Sequence, residues 1–185
     1  MKLTFQIRLS RVDEAKSVPA EPYKLVMAGW NGEMGWHLAL KLLGFLLFFE
    51  QKPRIETGIG WHFKPDLVCL DARGDVELWI DCGNIAVKKI DRVATKVGAP
   101  GRFFILKRRR SGARLLRLAL QGKVRRPERV TLIAFDDGFV DRLTELLDGT
   151  NGLDVELGEE SIELQLRNRH GEHVLASGIH RSPVP

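Results

Sequence analysis

The sequence predicts an α/β protein of the α+β kind: a mixed central β-sheet flanked by helices, with a β-meander added at the C-terminal end. Three observations predict it. Between residues 32 and 147, segments of helical period alternate with short apolar runs, the pattern of helices laid over a buried sheet. Beyond Gly149 the period shortens to two, as in half-buried strands. At 185 residues the chain suits one well-buried core, so a single domain over 1–185 is expected, with its core at about 23–147 and the β extension at about 150–182.

Residues 3–9 alternate apolar and polar and predict the first strand; 23–28 predict a second, after a polar, proline-containing loop. Residues 32–49 form the most hydrophobic helix, started by Asn31 and stopped near Pro53. Its one polar stripe, Glu33, His37 and Lys41 at spacing four, is either a solvent-facing ridge or a face turned into a polar site. Residues 54–58, 65–71 and 76–82 then read as a three-strand meander, with Ala72-Arg73-Gly74-Asp75 as the second turn. In its third strand Glu77, Trp79 and Asp81 share one side and Leu78, Ile80 and Cys82 the other.

A helix at 85–97 packs through Ala86, Ile90, Val93, Ala94 and Val97; Lys89 borders that stripe and Lys88 lies nearly opposite it. After Gly98-Ala99-Pro100-Gly101, residues 102–106 form a buried strand. Ser111 is expected to cap a helix at 113–120, with Leu115, Leu116, Leu118 and Leu120 inward and Arg114 and Arg117 outward. A strand at 130–135 and a helix at 137–147 complete the alternating section, and strands at 153–157, 162–166 and 174–179 make the meander.

A content of 44% hydrophobic and 29% charged residues describes an ordinary globular protein. The two cysteines, Cys69 and Cys82, sit in apolar runs without paired spacing, which argues against a disulfide framework and for a reducing, cytoplasmic location. The start of the chain lacks the apolar core of a signal peptide, and the most apolar stretch, 38–49, is too short to span a bilayer, so no membrane is expected. Charge is distributed unevenly. Between residues 107 and 129 ten Lys or Arg face one acid, Glu128, whereas the rest of the chain has 19 basic and 23 acidic residues. Lys107, Arg108, Arg109, Arg110, Arg114, Arg117, Lys123, Arg125 and Arg126 therefore suggest a phosphate-backbone partner, DNA or RNA; a solvated basic helix and loop is the alternative.

Pro65-Asp66 and Asp81 stand near the ends of two adjacent predicted strands, where two carboxylates side by side offer hard oxygen donors to a divalent cation. Lys88 and Lys89 follow at once. Two acids and a lysine in one small unit suggest metal-assisted phosphodiester chemistry; the alternative is that the aspartates merely start and end strands at a hairpin. Other patterns carry less. Gly58-Ile59-Gly60 opens no helix, so it is no dinucleotide loop. His37, His62, Cys69 and Cys82 have no zinc spacing, and no serine sits in a nucleophile elbow. Trp30, Trp36, Trp61 and Trp79 read as core or core-edge aromatics, although Trp61 beside His62 suits the lining of a groove.

The order helix, three-strand meander, helix, strand over 32–106 resembles the core of the restriction-endonuclease-like fold. Within that superfamily, Trp36-His37-Leu38-Ala39-Leu40-Lys41-Leu42-Leu43, Lys64-Pro65-Asp66-Leu67-Val68, Leu78-Trp79-Ile80-Asp81-Cys82-Gly83 and Lys88-Lys89-Ile90 resemble the YaeQ family of bacterial proteins, over about the first two-thirds of the chain. The resemblance implies a motif of Pro-Asp, a spacer, then Asp or Glu, any residue, and Lys. Asp66 and Asp81 match its acids, but Gly83 stands where the lysine would be. It further implies that a lysine of the next helix, Lys89 or Lys88, can serve instead. Asp66, Asp81 and the Cys82 backbone carbonyl would then hold Mg²⁺ or Mn²⁺, with Glu33 as a further acid near the metal. The function implied is a metal-dependent nuclease; the alternative is a catalytically silent module of the same fold that binds nucleic acid or a protein.

Overall fold

Alternating apolar residues from both ends of the chain meet in one sheet. Strand β1 (Lys2–Arg11) buries Leu3, Phe5 and Ile7 and pairs antiparallel with β2 (Tyr23–Ala28), which buries Leu25 and Met27. The computed structural model describes residues 2–12, 21–29 and 32–185. The expected Asn31 cap, Trp30 and most of the proline-containing loop lie outside them. Helix α1 (Gly35–Leu47) follows and is buried from Leu38 to Leu47. It starts after Glu33, shorter than the predicted 32–49, and gives way to a 3-10 turn at Phe49–Gln51.

The meander is smaller at its first strand than predicted: β3 (Arg54–Ile55), β4 (Leu67–Leu70) and β5 (Val76–Cys82). Then come α2 (Val87–Lys96), β6 (Arg102–Lys107), α3 (Arg110–Leu120), β7 (Val130–Phe135), α4 (Phe139–Leu146), β8 (Thr150–Leu157), β9 (Ser161–Asn168) and β10 (Gly171–Pro183). The chain is thus a mixed α/β fold with ten strands and four helices among its described residues. No helix among them is long and apolar enough to cross a membrane.

Two compact units divide the chain: Met1–Ala39 with Phe135–Ile179, and Leu40–Ala134 with His180–Pro185. In the first, the strand order is β2-β1-β8-β9-β10, antiparallel except where β8 runs parallel to β1. The C-terminal strands, expected as an extension of the core, therefore group with the N-terminal ones. Leu153, Val155 and Leu157 continue the buried row begun by Phe5 and Ile7.

In the second unit the order is β7-β6-β5-β4-β3. Strands β5, β6 and β7 are parallel, each pair joined through a helix, and β3 and β4 are antiparallel additions. Both faces of this sheet are covered. On one, Gly44 lets α1 lie against Leu67, Ile80 and Leu106, where a side chain at 44 would come within 3.2 to 3.6 Å of all three. On the other, Val68, Trp79, Phe103 and Ile105 join Ile90, Val93 and Ala94 of α2 and Ala113 and Leu120 of α3. Burial on both faces explains why β5, β6 and β7 read as near-continuous apolar runs.

Two details of α3 depart from the sequence reading. Its N-cap is Arg109, without a side-chain capping bond, and Ser111 lies inside the helix. Leu115 and Leu118 are 68% and 59% exposed, so only Leu116 and Leu120 of the four expected leucines turn inward, alongside Ala113. Leucines fall all round this helix, and periodicity alone had no means of choosing among them.

Gly101 sits where β6 begins, and a Cβ there would meet the Val76 carbonyl oxygen at 2.3 Å. Gly101→Ala should therefore destabilise the protein by about 1–3 kcal/mol through overpacking, read from the midpoint of urea unfolding. Burial also pushes the Cys69 thiol up from about 9 to about 11. Its thiolate fraction at pH 8 falls by about 100-fold, so alkylation of Cys69 in the folded protein should be slower than in the urea-unfolded chain by at least that factor.

Candidate functional site

The register of the β4–β5 hairpin decides which side chains meet. Leu67 pairs with Ile80, and the Asp66 N–H donates to the Ile80 carbonyl at 3.1 Å, so Asp66 stands across from Asp81 on one face of the sheet. Asp66 is turned toward β5 by the Cys82 N–H, which donates to its Oδ2 at 2.6 Å. Asp81 occupies the same face as Trp79, the face covered by α2, and is only 1% exposed.

Helix α2 brings the counterion. Its stripe of Ile90, Val93 and Ala94 is buried in the core, which leaves Lys89 at the border of the stripe and Lys88 exposed. Lys89 Nζ lies 2.8 Å from Asp81 Oδ2. It approaches as a charge and out of line, so that neither Asp81 oxygen, nor the neighbouring Trp79 indole nitrogen, has an aligned hydrogen bond. Burial pushes the Asp81 carboxyl above its usual range; Lys89 pulls it down, Asp66 adds a further push upward, and Trp79 pulls weakly down.

Gly83 follows with φ of 79°, a left-handed turn in which a lysine would be strained. A second ammonium reaches this turn from β6: Lys107 Nζ donates to the Gly83 carbonyl and to Asn84 Oδ1, both at 2.9 Å. Lys107 is 8% exposed, and burial lowers its pKa. It is thus a buried brace of the loop after β5. The signal available in the sequence was its place directly after the buried run Phe103-Phe104-Ile105-Leu106.

Glu33 does not complete a three-ligand cluster. Its carboxylate meets His37 Nδ1 at 2.6 Å, and among the described residues no three His, Cys, Asp or Glu side chains group so as to hold a metal ion. Lys41, from the same predicted stripe, is 1% exposed and bonded to Glu56. The stripe is divided between two ion pairs, Glu33 with His37 and Lys41 with Glu56.

The basic block is also divided. Arg125 grips Asp91 through Nε and Nη2 and holds that carboxyl below its usual range. Arg129 donates to the Val97 carbonyl at the end of α2, and Arg117 Nε to the Pro183 carbonyl at 3.1 Å. Arg126 lies 3.9 Å from Glu128, and Arg108 is half-buried. Arg109, Arg110, Arg114 and Lys123 are exposed.

The family model described as YaeQ protein matches residues 2–174. The chain belongs to the YaeQ family. Among solved structures this family member resembles the YaeQ protein from Xanthomonas axonopodis pv. citri, at 18% identity over 98% of each chain with a TM-score of 0.73. It also resembles that from Pseudomonas syringae, at 16% identity over 100% of this chain and 95% of the other, with a TM-score of 0.72. At these identities the likeness shows that the YaeQ fold is shared. No curated protein matches the chain.

Removing Lys89 leaves a buried carboxylate without its cation. Lys89→Ala should cost on the order of 3 kcal/mol at pH 7, the low end for breaking a buried pair because Lys89 is 24% exposed. The double variant Asp81→Asn/Lys89→Ala should recover much of that loss. Since the Asp81 carboxyl is raised in the folded state, the fold keeps this proton to higher pH than the unfolded chain. The Lys89→Ala deficit should shrink toward about pH 4, the ordinary aspartate range, and grow as pH rises to 7. Urea unfolding at both pH values reads it, and a pH-independent deficit would rule the account out.

Proposed function

We propose that this YaeQ family member is a nuclease-like protein of the restriction-endonuclease-like superfamily, acting in the cytoplasm as a metal-dependent phosphodiesterase on nucleic acid. The single observation that carries the reading is the meeting of Asp66, Asp81 and Lys89 at one end of the β4–β5 hairpin, with both Asp81 oxygens buried and without aligned hydrogen bonds. The donors suit a hard cation: Asp66, Asp81 and the Cys82 carbonyl are all oxygens, and a buried carboxylate held by one lysine without aligned hydrogen bonds keeps acceptor capacity that an ion or its waters can satisfy. Bound there, Mg²⁺ or Mn²⁺ supplies Lewis acidity toward a phosphate and acidifies water.

The chain's own residues do the rest. The Cys82 N–H fixes the Asp66 carboxylate, and the α2 packing stripe fixes the stem of Lys89. Its flexible four-carbon chain allows the ammonium to exchange Asp81 for a phosphate oxygen and to meet charge growing there. Exposed Arg109, Arg110, Arg114 and Lys123 are the backbone contacts of this reading.

One observation favours a second reading. Asp81 is 1% exposed and neutralised by Lys89, which is also how a purely structural ion pair looks, and the protein would then be a silent binding module for nucleic acid or a protein. Incubation with plasmid, single-stranded DNA or RNA decides between them. Mn²⁺-dependent cleavage that EDTA stops is expected, reduced by about 100-fold or more in Asp66→Asn and Asp81→Asn and by about 100-fold in Lys89→Ala. Equal cleavage by the wild type and all three variants, or none by any, would sink the catalytic reading.

A further inference from the structure

The loop that leads into Asp66 carries Trp61, His62 and Phe63, and these close a cavity of about 180 Å³ with Arg92, Val93 and Lys96 of α2. Its volume falls below the roughly 300–1,000 Å³ of sites for whole drug-sized ligands and suits one planar ring. The back of the cavity is rigid: Trp61 stacks on the buried Trp79 with ring centroids 5.2 Å apart and planes within 22°. Its rim is cationic, because Arg92 and Lys96 are exposed on long stems. Lys96 Nζ rests 4.4 Å from the Trp61 ring centre, and Lys89, the lysine on Asp81, lies 6.0 Å from the ring centre of Phe63. Phe63 thus borders both the cavity and the lysine of the carboxylate-lysine site.

We infer that this cavity receives one unstacked base of a single-stranded nucleic acid whose backbone crosses the Asp66–Asp81–Lys89 site, with Trp61 as the stacking surface and Arg92 and Lys96 on flanking phosphates. The inference rests on the phosphodiester reading above and names its substrate class. An aromatic floor with a cationic rim matches a base with its phosphates on both counts, whereas an apolar ligand would leave two charges at the mouth unused. Stacking is tolerant of sequence, since every base offers a π face, and a base paired within a duplex cannot offer one to a cavity this narrow. Without a strand, Lys96 occupies the ring of Trp61 as a cation–π contact. A base arriving there takes the ring and leaves the ammonium to its phosphate.

Fluorescence anisotropy with labelled oligo(dT), oligo(U) and a DNA duplex of equal length, in EDTA so that cleavage plays no part, tests the inference. Single strands should bind at least about 10-fold more tightly than the duplex, and Trp61→Leu should weaken single-strand binding by about 10- to 100-fold, the range for losing one stacked base, while duplex binding stays unchanged. Trp61→Phe should keep more binding than Trp61→Leu. His62→Ala, at an exposed position whose ring contact is the edge-on one with Phe63, should also weaken it and serves should the Trp61 variants fail to fold. Lys96→Ala should flatten the salt dependence by about 0.7 of a log-log slope unit, the value for one phosphate of a single strand. Duplex bound as tightly as single strands, or wild-type affinity in both Trp61→Leu and His62→Ala, would overturn the inference. Strand binding that needs Trp61 without any metal-dependent cleavage would uphold it and remove the catalytic reading; cleavage lost in Asp66→Asn with no strand preference would do the reverse.

Discussion

A carboxylate buried to 1% exposure at the end of the central strand of a two-sided sheet is the constraint on which the unit around β5 depends. An unpaired charge there would cost several kcal/mol, so a cation must be delivered to Asp81 by an element already packed against the same face. Helix α2 is that element, and its phase is set by Ile90, Val93 and Ala94 in the core. Shifting the helix by one residue would trade Lys89 for Lys88 at the price of the apolar stripe. The counterion is thus chosen by hydrophobic packing, and stability alone gives no reason to keep the pair, since well-packed apolar residues in place of a buried ion pair are often as stable or more so.

The turn after β5 makes the same point about backbone. With Gly83 in a left-handed conformation, its N–H reaches the Leu106 carbonyl at 2.9 Å and its own carbonyl accepts from Lys107. A lysine at 83 would strain this turn, whereas the helix after it presents an ammonium at no conformational cost. Lys107 then braces from β6 what Lys89 neutralises from α2. The two lysines act on opposite ends of one four-residue stretch, and each is fixed by the strand or helix from which it projects.

How much of this was legible in the sequence depends on how many faces of an element are buried. Strands β2, β5 and β7 match the expected spans because turn residues bound short apolar runs, and the Asp66–Asp81 pairing follows from the hairpin register. Lys89 over Lys88 was likewise readable, since α2 has one clear apolar stripe. Helix α3 was not, because its leucines surround it and only tertiary contact selects Leu116 and Leu120. The stripe of Glu33, His37 and Lys41 was seen as a unit, but its partners are long-range: Glu56 lies 15 residues beyond Lys41, in a conformation with φ of 48° that no periodicity announces.

Charge was the least transferable signal. The excess at 107–129 suggests a continuous basic surface, yet Lys107 is spent on a buried loop, Arg125 on Asp91, Arg129 on the end of α2 and Arg117 on the Pro183 carbonyl. Each of these ties two segments distant in sequence, which long side chains with several donors do well. A phosphate backbone would therefore meet a smaller field than the count of arginines implies, and the cations on α2 gain relative weight. Arg92 and Lys96 lie outside that block, on α2, and they stand beside aromatic rings and next to Lys89. For recognition, the position of two cations against a ring surface counts for more than the length of a basic run, because the run acts on any polyanion and the ring acts only on a strand that can expose a base.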